Sequence, residues 1–187
     1  MSILHIGGVD MSFKVSWKMH ILCFLFGYII CLIQQDSITN LFVRLLLENK
    51  FIHLTNYYSL NLIIYIFCLF IPITLIHELL HGIIYMLFGG KVKYGFKGIY
   101  AYAREISGIT LHRTQFLIVL LAPVTIISLG SVFILGCIGY SIFLLNLLGS
   151  TGDLLMAFYL CRSNKNSYII DKSYGFDIVN KMSGSKL

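Results

Sequence analysis

Residues 60–89 read LNLIIYIFCLFIPITLIHELLHGIIYMLFG, thirty positions with a single formally charged side chain, Glu78. A bilayer crossing takes about 20 predominantly apolar residues in helical form, so this stretch is long enough to span and is read as a transmembrane helix. Yet His77, Glu78 and His81 lie well inside it. An ionisable side chain at the bilayer centre costs roughly 2.5–3.5 kcal/mol on insertion scales and marks a functional site by default. The stretch therefore sets both the fold class and the place to look for chemistry.

Composition agrees. Across 187 residues the chain is 58% hydrophobic and only 12% charged, with mean hydropathy +0.85. Soluble domains carry about 25% charged residues, so lipid is the expected solvent. Three further apolar segments stand out: Met19–Gln34, Phe116–Cys137 and Ile138–Cys161. No small-residue cleavage site follows the first of them, which is read as a retained span. Only Gly136–Ser141 separates the third from the fourth, so those two helices are expected as antiparallel neighbours.

The net charge of +6 fits this layout better than nucleic-acid binding, because the basic residues flank apolar spans. Lys14 and Lys18 precede the first span. Lys91, Lys93, Lys97, Arg104 and Arg113 lie in the 90–115 connection, and Arg162, Lys165, Lys172, Lys181 and Lys186 follow the last. The 35–59 connection is neutral, with Arg44 and Lys50 against Asp36 and Glu48. Excess Lys and Arg mark cytoplasmic loops, so four spans with both termini in the cytoplasm of a cell-membrane protein are expected. Cys23, Cys31, Cys68, Cys137 and Cys161 all sit in or beside apolar runs without a C-x-x-C pair. They read as small hydrophobes, not a disulfide framework.

The connections carry their own patterns. Ile38, Leu41, Phe42, Leu45 and Leu46 fall on one helical face, the signature of an interfacial amphipathic helix. Residues 91–104 are rich in Tyr, Gly, Val and Phe, and Ile99–Arg104 alternates, as in a short β-hairpin at the cytoplasmic membrane surface. Such a hairpin could take up an extended substrate by strand addition. The overall expectation is an all-α integral membrane protein of about four transmembrane helices. One domain would cover 1–165, with its core at 60–165, and 166–187 would be a weakly ordered cytoplasmic tail.

His77-Glu78-Leu79-Leu80-His81 explains the buried ionisable groups. Residues four apart share a helix face, so the two imidazoles can hold one metal ion, with Glu78 placed to take a proton from water. This is the H-E-x-x-H arrangement of zinc metallopeptidases. With six His and three Glu in the chain, chance would produce it in about 0.3% of such compositions by frequency counting. The competing reading, two buried histidines bonded to neighbouring helices, leaves the buried Glu78 as an unexplained cost.

A hydrolytic zinc site needs a third protein ligand, and Asp153 is the one remaining acidic residue inside an apolar span. His81 lies seven residues before Phe88 and Asp153 eight before Cys161. At 1.5 Å per residue both sit on the order of 10–12 Å from the cytoplasmic ends of their helices, so two antiparallel helices can present them to one ion. Asn146, Gly149, Ser150 and Asp153 recur at helical spacing, a small polar face on which Asn146 is a candidate oxyanion or substrate-backbone donor. Pro72 is a candidate kink. His112, at the expected membrane surface, is read as merely solvated.

The helix with His77-Glu78-Leu79-Leu80-His81-Gly82, the basic linker with Ala101-Tyr102-Ala103, the following Leu121-Ala122-Pro123 and the later Asn146…Gly149-Ser150…Gly152-Asp153 resemble the putative zincin peptidases (domain of unknown function 3267), small bacterial membrane proteins. The resemblance covers roughly residues 60–165. More distantly the layout is similar to the site-2 intramembrane metalloproteases, in which a later Asp on another membrane helix completes the zinc site. The Asn-Pro and Asp-Gly pattern of that class is absent here, since Asp153 precedes Leu154. Motif and resemblance together lead to the expectation of a zinc-dependent endopeptidase acting on a peptide or membrane protein in or near the bilayer, with Glu78 as general base. The rival is a membrane protein that binds metal or a partner without turnover, as a regulatory or immunity factor would. A metal transporter would want more intramembrane ligands than these.

Overall fold

The computed structural model describes residues 6–47, 54–97 and 100–181. It is mostly helical, with six helices and six strands: β1 (Ile6–Lys14), α1 (Trp17–Ile33), α2 (Gln35–Leu47), α3 (Tyr58–Leu87), β2 (Val92–Lys97), β3 (Tyr100–Glu105), β4 (Thr110–His112), α4 (Arg113–Val132), α5 (Cys137–Gly149), α6 (Thr151–Cys161), β5 (Tyr168–Lys172) and β6 (Gly175–Lys181). Two helices, α3 and α4, are singly long and apolar enough to cross a membrane, and the bent pairs α1–α2 and α5–α6 raise the number to four if each pair is one span.

Six helices appear: the four expected apolar segments, the helix expected in the 35–59 connection, and one more because the fourth segment is broken in two. α1 turns by 74° into α2, which is the helix anticipated in the 35–59 connection. Its packed face is narrower than the periodicity suggested. Leu41 and Leu45 are buried in a cluster with Tyr65 of α3, while Phe42 and Leu46 stay exposed. The fourth apolar segment breaks by 52° between α5 and α6. Gly149, Ser150 and Gly152 crowd the break, and glycine and serine are weak helix formers. The buried Ser150 hydroxyl donates to the Asn146 carbonyl at 2.7 Å, competing with the helical ladder.

α3 runs unbroken through Pro72 for 30 residues, about 45 Å at 1.5 Å per residue. α4 begins at a capping box. The His112 N–H donates to Gln115 Oε1 at 2.8 Å, and His112 Nδ1 accepts from the Thr114 N–H at 3.2 Å. His112 thus has a structural task, that of an N-cap. Gly136, with φ of +80°, turns the chain from α4 into α5.

The largest departure from expectation lies at the two ends of the chain. β5 and β6 form an antiparallel hairpin in the segment expected as a tail, and β1 and β4 flank it in a four-stranded sheet ordered β1-β6-β5-β4. Ile169, Phe176 and Ile178 of this hairpin are buried in one core with Leu111, Phe116, Val119 and Leu160. The sheet is therefore packed on α4 and α6. The expected hairpin at 91–104 forms as β2 and β3, paired from Val92↔Glu105 to Lys97↔Tyr100.

Candidate metal centre

His77, His81 and Tyr85 recur every fourth residue of α3 and are its buried face here. Each imidazole is oriented from behind. His81 Nδ1 lies 2.8 Å from the Val119 carbonyl of α4, which accepts only, so Nδ1 carries the proton. His77 Nδ1 lies 3.3 Å from Asn146 Oδ1 of α5. Asn146 is almost wholly buried, and its Nδ2 faces the Val124 carbonyl at 3.4 Å and Ser128 Oγ at 3.3 Å. Its Oδ1 is thereby turned to accept from His77. The hydrogen-bond network thus places a proton on Nδ1 of both rings and turns both Nε2 atoms towards Asp153.

Those nitrogens meet a carboxylate. The break before α6 places Asp153 in that helix's first turn, where negative charge suits the N-terminal end of the dipole. Asp153 Oδ2 lies 3.0 Å from His77 Nε2 and 3.5 Å from His81 Nε2, and the two Nε2 atoms are 3.1 Å apart. Three atoms able to ligate a metal thus converge within reach of one ion. The spacings fit zinc, since tetrahedral ligands at about 2.0–2.1 Å from the ion lie about 3.3 Å from one another. Two imidazoles and a carboxylate also leave the fourth position that hydrolytic zinc sites keep for water.

Glu78 leaves α3 beside this cluster and reaches the hairpin, where Oε2 accepts the Ala103 N–H at 2.6 Å. Gly82 lets the Tyr94 ring of the hairpin lie close against α3, since a Cβ there would overlap that ring and its hydroxyl. A cavity of about 420 Å³ opens between these elements, lined by Glu78, Ala103, His81 and Asp153 at one end and by Asp171 and Phe176 towards the other.

A second polar cluster closes that far end. Asp171 of β5 accepts the Tyr85 hydroxyl at 3.1 Å and the Glu105 N–H at 3.2 Å, both on Oδ2. Burial pushes its carboxyl up to about 6, despite these donors. Glu105 shows the opposite outcome. Its burial also acts upward, but the Ser107 hydroxyl and N–H, with the Gly108 and Lys91 amides, outweigh it and hold the carboxyl below its ordinary range. Sequence reasoning missed Tyr85 and Asp171. Tyr85 could have been found from its spacing of four after His81, but Asp171 carries no local signal.

The structure thus brings His77, His81, Asp153 and Asn146 together, with Glu78 alongside. It places Asn146 differently from the expectation of a substrate-facing donor, because its amide protons point at Val124 and Ser128 of α4 and its oxygen at His77. Among the described residues, His77, His81 and Asp153 are the group of three His, Cys or acidic residues able to share a metal ion.

Among known protein families, the model described as putative zincin peptidase aligns with residues 70–168, from the middle of α3 to the start of β5. No curated protein and no solved structure matches the chain.

Proposed function

The chain belongs to the putative zincin peptidase family, and from that premise we propose that it is a zinc-dependent endopeptidase embedded in the membrane, hydrolysing peptide bonds in or near the bilayer. The carrying observation is the convergence of the His77 and His81 Nε2 atoms on Asp153 Oδ2. These three residues would hold the metal. Zinc, when bound, supplies a Lewis acid that lowers the pKa of its water to about 7 and polarises the scissile carbonyl.

The chain's own groups do the rest. Glu78 takes a proton from the attacking water as its oxygen bonds to the carbonyl carbon. It returns that proton to the amine nitrogen as the C–N bond breaks. Asn146 and the Val119 carbonyl act behind the histidines, fixing tautomer and ring orientation. Substrates would be peptides or membrane proteins, with lipid as the solvent of the apolar helices. The basic 90–115 connection and C-terminal segment support a cytoplasmic placement of the centre and of both termini.

Glu78→Gln tests this reading. The variant keeps all three candidate ligands, so zinc content in detergent-purified protein is expected to stay at the wild-type level while peptide hydrolysis falls by roughly 10²–10⁴, the usual worth of a general base. Undiminished hydrolysis would sink the assignment of Glu78. Bound zinc with no turnover in wild type would leave the rival, a metal-binding regulatory factor.

A further inference from the structure

Helices α1 and α4 both start beside the four-stranded sheet, α1 just after β1 and α4 directly after β4, and both run away from it. Their 17 and 20 residues reach about 25–30 Å at 1.5 Å per residue, close to the roughly 30 Å of a bilayer's hydrocarbon core. With the sheet at one membrane boundary, their far ends lie at the other. There the chain turns twice. α1 bends by 74° into α2, and Gly136 turns α4 into α5. α2 thus lies across the end of the bundle, near the membrane plane, in the posture of an interfacial helix. It packs through Leu41 and Leu45, while Phe42, Val43, Leu46 and Leu47 are exposed. Ser37, Asn40 and Arg44, at spacings of three and four, share another face. With Gly136, Cys137 and Tyr140 they line a cavity of about 250 Å³. The Tyr140 hydroxyl donates to Gln34 Oε1 at 3.3 Å, tying this wall to the bend.

Among the described residues lining this cavity, Arg44 carries the one charge and no carboxylate faces it; Asp36, the acid of α2, lies outside the lining. We propose that the cavity holds the headgroup phosphate of an anionic phospholipid, clipping α2 to the α4–α5 turn at the end of the bundle away from the sheet. A guanidinium offers paired N–H groups that match phosphate oxygens, and the Ser37 hydroxyl and Asn40 amide add donors beside it. The volume equals that of about eight waters at roughly 30 Å³ each, room for a phosphodiester but not for a whole lipid. The acyl chains must therefore run outside, past Val43 and Leu47, which neighbour Asn40 and Arg44 around the helix. An anionic headgroup fits better than a zwitterionic one, because no carboxylate in the lining receives a choline or ethanolamine cation. The site is remote from His77, His81 and Asp153 and does not rest on the reading of that centre as a peptidase.

The experiment uses the full chain purified in detergent and three probes: dihexanoyl phosphatidylglycerol, dihexanoyl phosphatidylcholine and inorganic phosphate. Each is titrated while the thermal unfolding midpoint is followed, since a ligand of the native state raises it. Phosphatidylglycerol is expected to raise the midpoint saturably. Phosphatidylcholine should bind about fivefold more weakly, the worth of one basic residue towards an anionic headgroup, and inorganic phosphate should not move the midpoint at the same concentrations. Arg44→Gln should weaken phosphatidylglycerol about tenfold through loss of charge-assisted hydrogen bonds, and Arg44→Lys should recover part of that, having the charge without the fork. Arg44 and Asn40 are exposed, so their variants are expected to fold. Asn40→Leu, which narrows the cavity and leaves the charge, should also weaken the lipid. Arg162→Gln removes an exposed cation at the far end of α6, over Phe158, and should bind as wild type does. Equal binding of phosphatidylglycerol by wild type and Arg44→Gln would overturn the site, as would an equal loss in Arg162→Gln. Inorganic phosphate matching phosphatidylglycerol would overturn a lipid occupant, and phosphatidylcholine matching it would overturn an anionic one.

Discussion

Two carboxylates stand at opposite ends of one cavity, Asp153 beneath His77 and His81 and Asp171 beneath Tyr85 and β3. Both are reached from the same face of α3. Their surroundings differ in kind. Asp171 faces donors, a phenol hydroxyl and a backbone N–H, so its polar demands are met by the protein. Asp153 faces two imidazole nitrogens whose protons are committed elsewhere, to Val119 and Asn146. Buried polar groups without complementary partners are costly. One cluster is complete as protein alone. The other gathers three potential metal ligands at one point, and that contrast adds to the motif as the argument for a metal.

The contrast breaks most severely if the donor set is cut. Asp153→Ala or His77→Ala is expected to lose stoichiometric zinc on metal analysis of purified protein, and zinc should no longer raise the unfolding temperature as ligand binding to the native state must. Retention of zinc by Asp153→Ala would remove that residue from the site. Next in size comes the orienting layer. Asn146→Ala leaves the three ligands in place but frees the His77 ring to rotate or change tautomer, so zinc affinity should drop 10–100-fold, the usual effect of removing such a partner. Competition with a chelator of known affinity would measure it. Unchanged affinity would mean that Asn146 serves the substrate, as its place on the small polar face suggests.

Between the two clusters lies Gly82, and Gly82→Ala separates them. A Cβ there overlaps the end of the Tyr94 side chain, so that ring must swing aside or the hairpin must move off α3, at up to about 3 kcal/mol for overpacking. The bonds from Ala103 to Glu78 and from Glu105 to Asp171 should weaken, while His77, His81 and Asp153, on α3 and α6, keep their spacing. Chemical denaturation should therefore report lower stability at full zinc occupancy. Loss of zinc instead would show that the hairpin helps to hold the ligands.

How much of this was legible in the sequence depends on the range of each signal. The α3 segment, its His77-Glu78-His81 spacing and the 91–104 alternation are local, and local periodicity survives folding. The meeting of Asp153 with the histidines was reached from matching helix depths, although the break at Ser150 that delivers it was not. Hydropathy averaged over a span hides a bend made by two glycines and a serine. The four-stranded sheet was invisible for another reason. It pairs Phe13 with Phe176 and Leu111 with Ile169, contacts between short strands far apart in the chain that leave no periodic trace. Asn146 was found by its polarity, but the direction of its amide was not, because which way an amide faces depends on neighbours that only the packed helices supply.

The gentlest break is made at the complete cluster. Asp171→Asn keeps an acceptor for Tyr85 and for the Glu105 N–H but cannot ionise. In the folded chain the Asp171 carboxyl titrates at about 6, above its ordinary value of 3.8, so between those values the folded state holds more protons than the unfolded one. Stability must then fall as pH rises through that window. Glu105 works in the other direction, since its lowered carboxyl removes stability only as pH drops through and below its ordinary 4.5. Between pH 4.5 and about 6 the stability that Asp171 contributes therefore falls, while Glu105 adds no loss there. Wild type should lose more stability across that interval than Asp171→Asn does. An equal loss in both proteins would mean that Asp171 does not carry it, its burial being relieved by solvent entering the cavity.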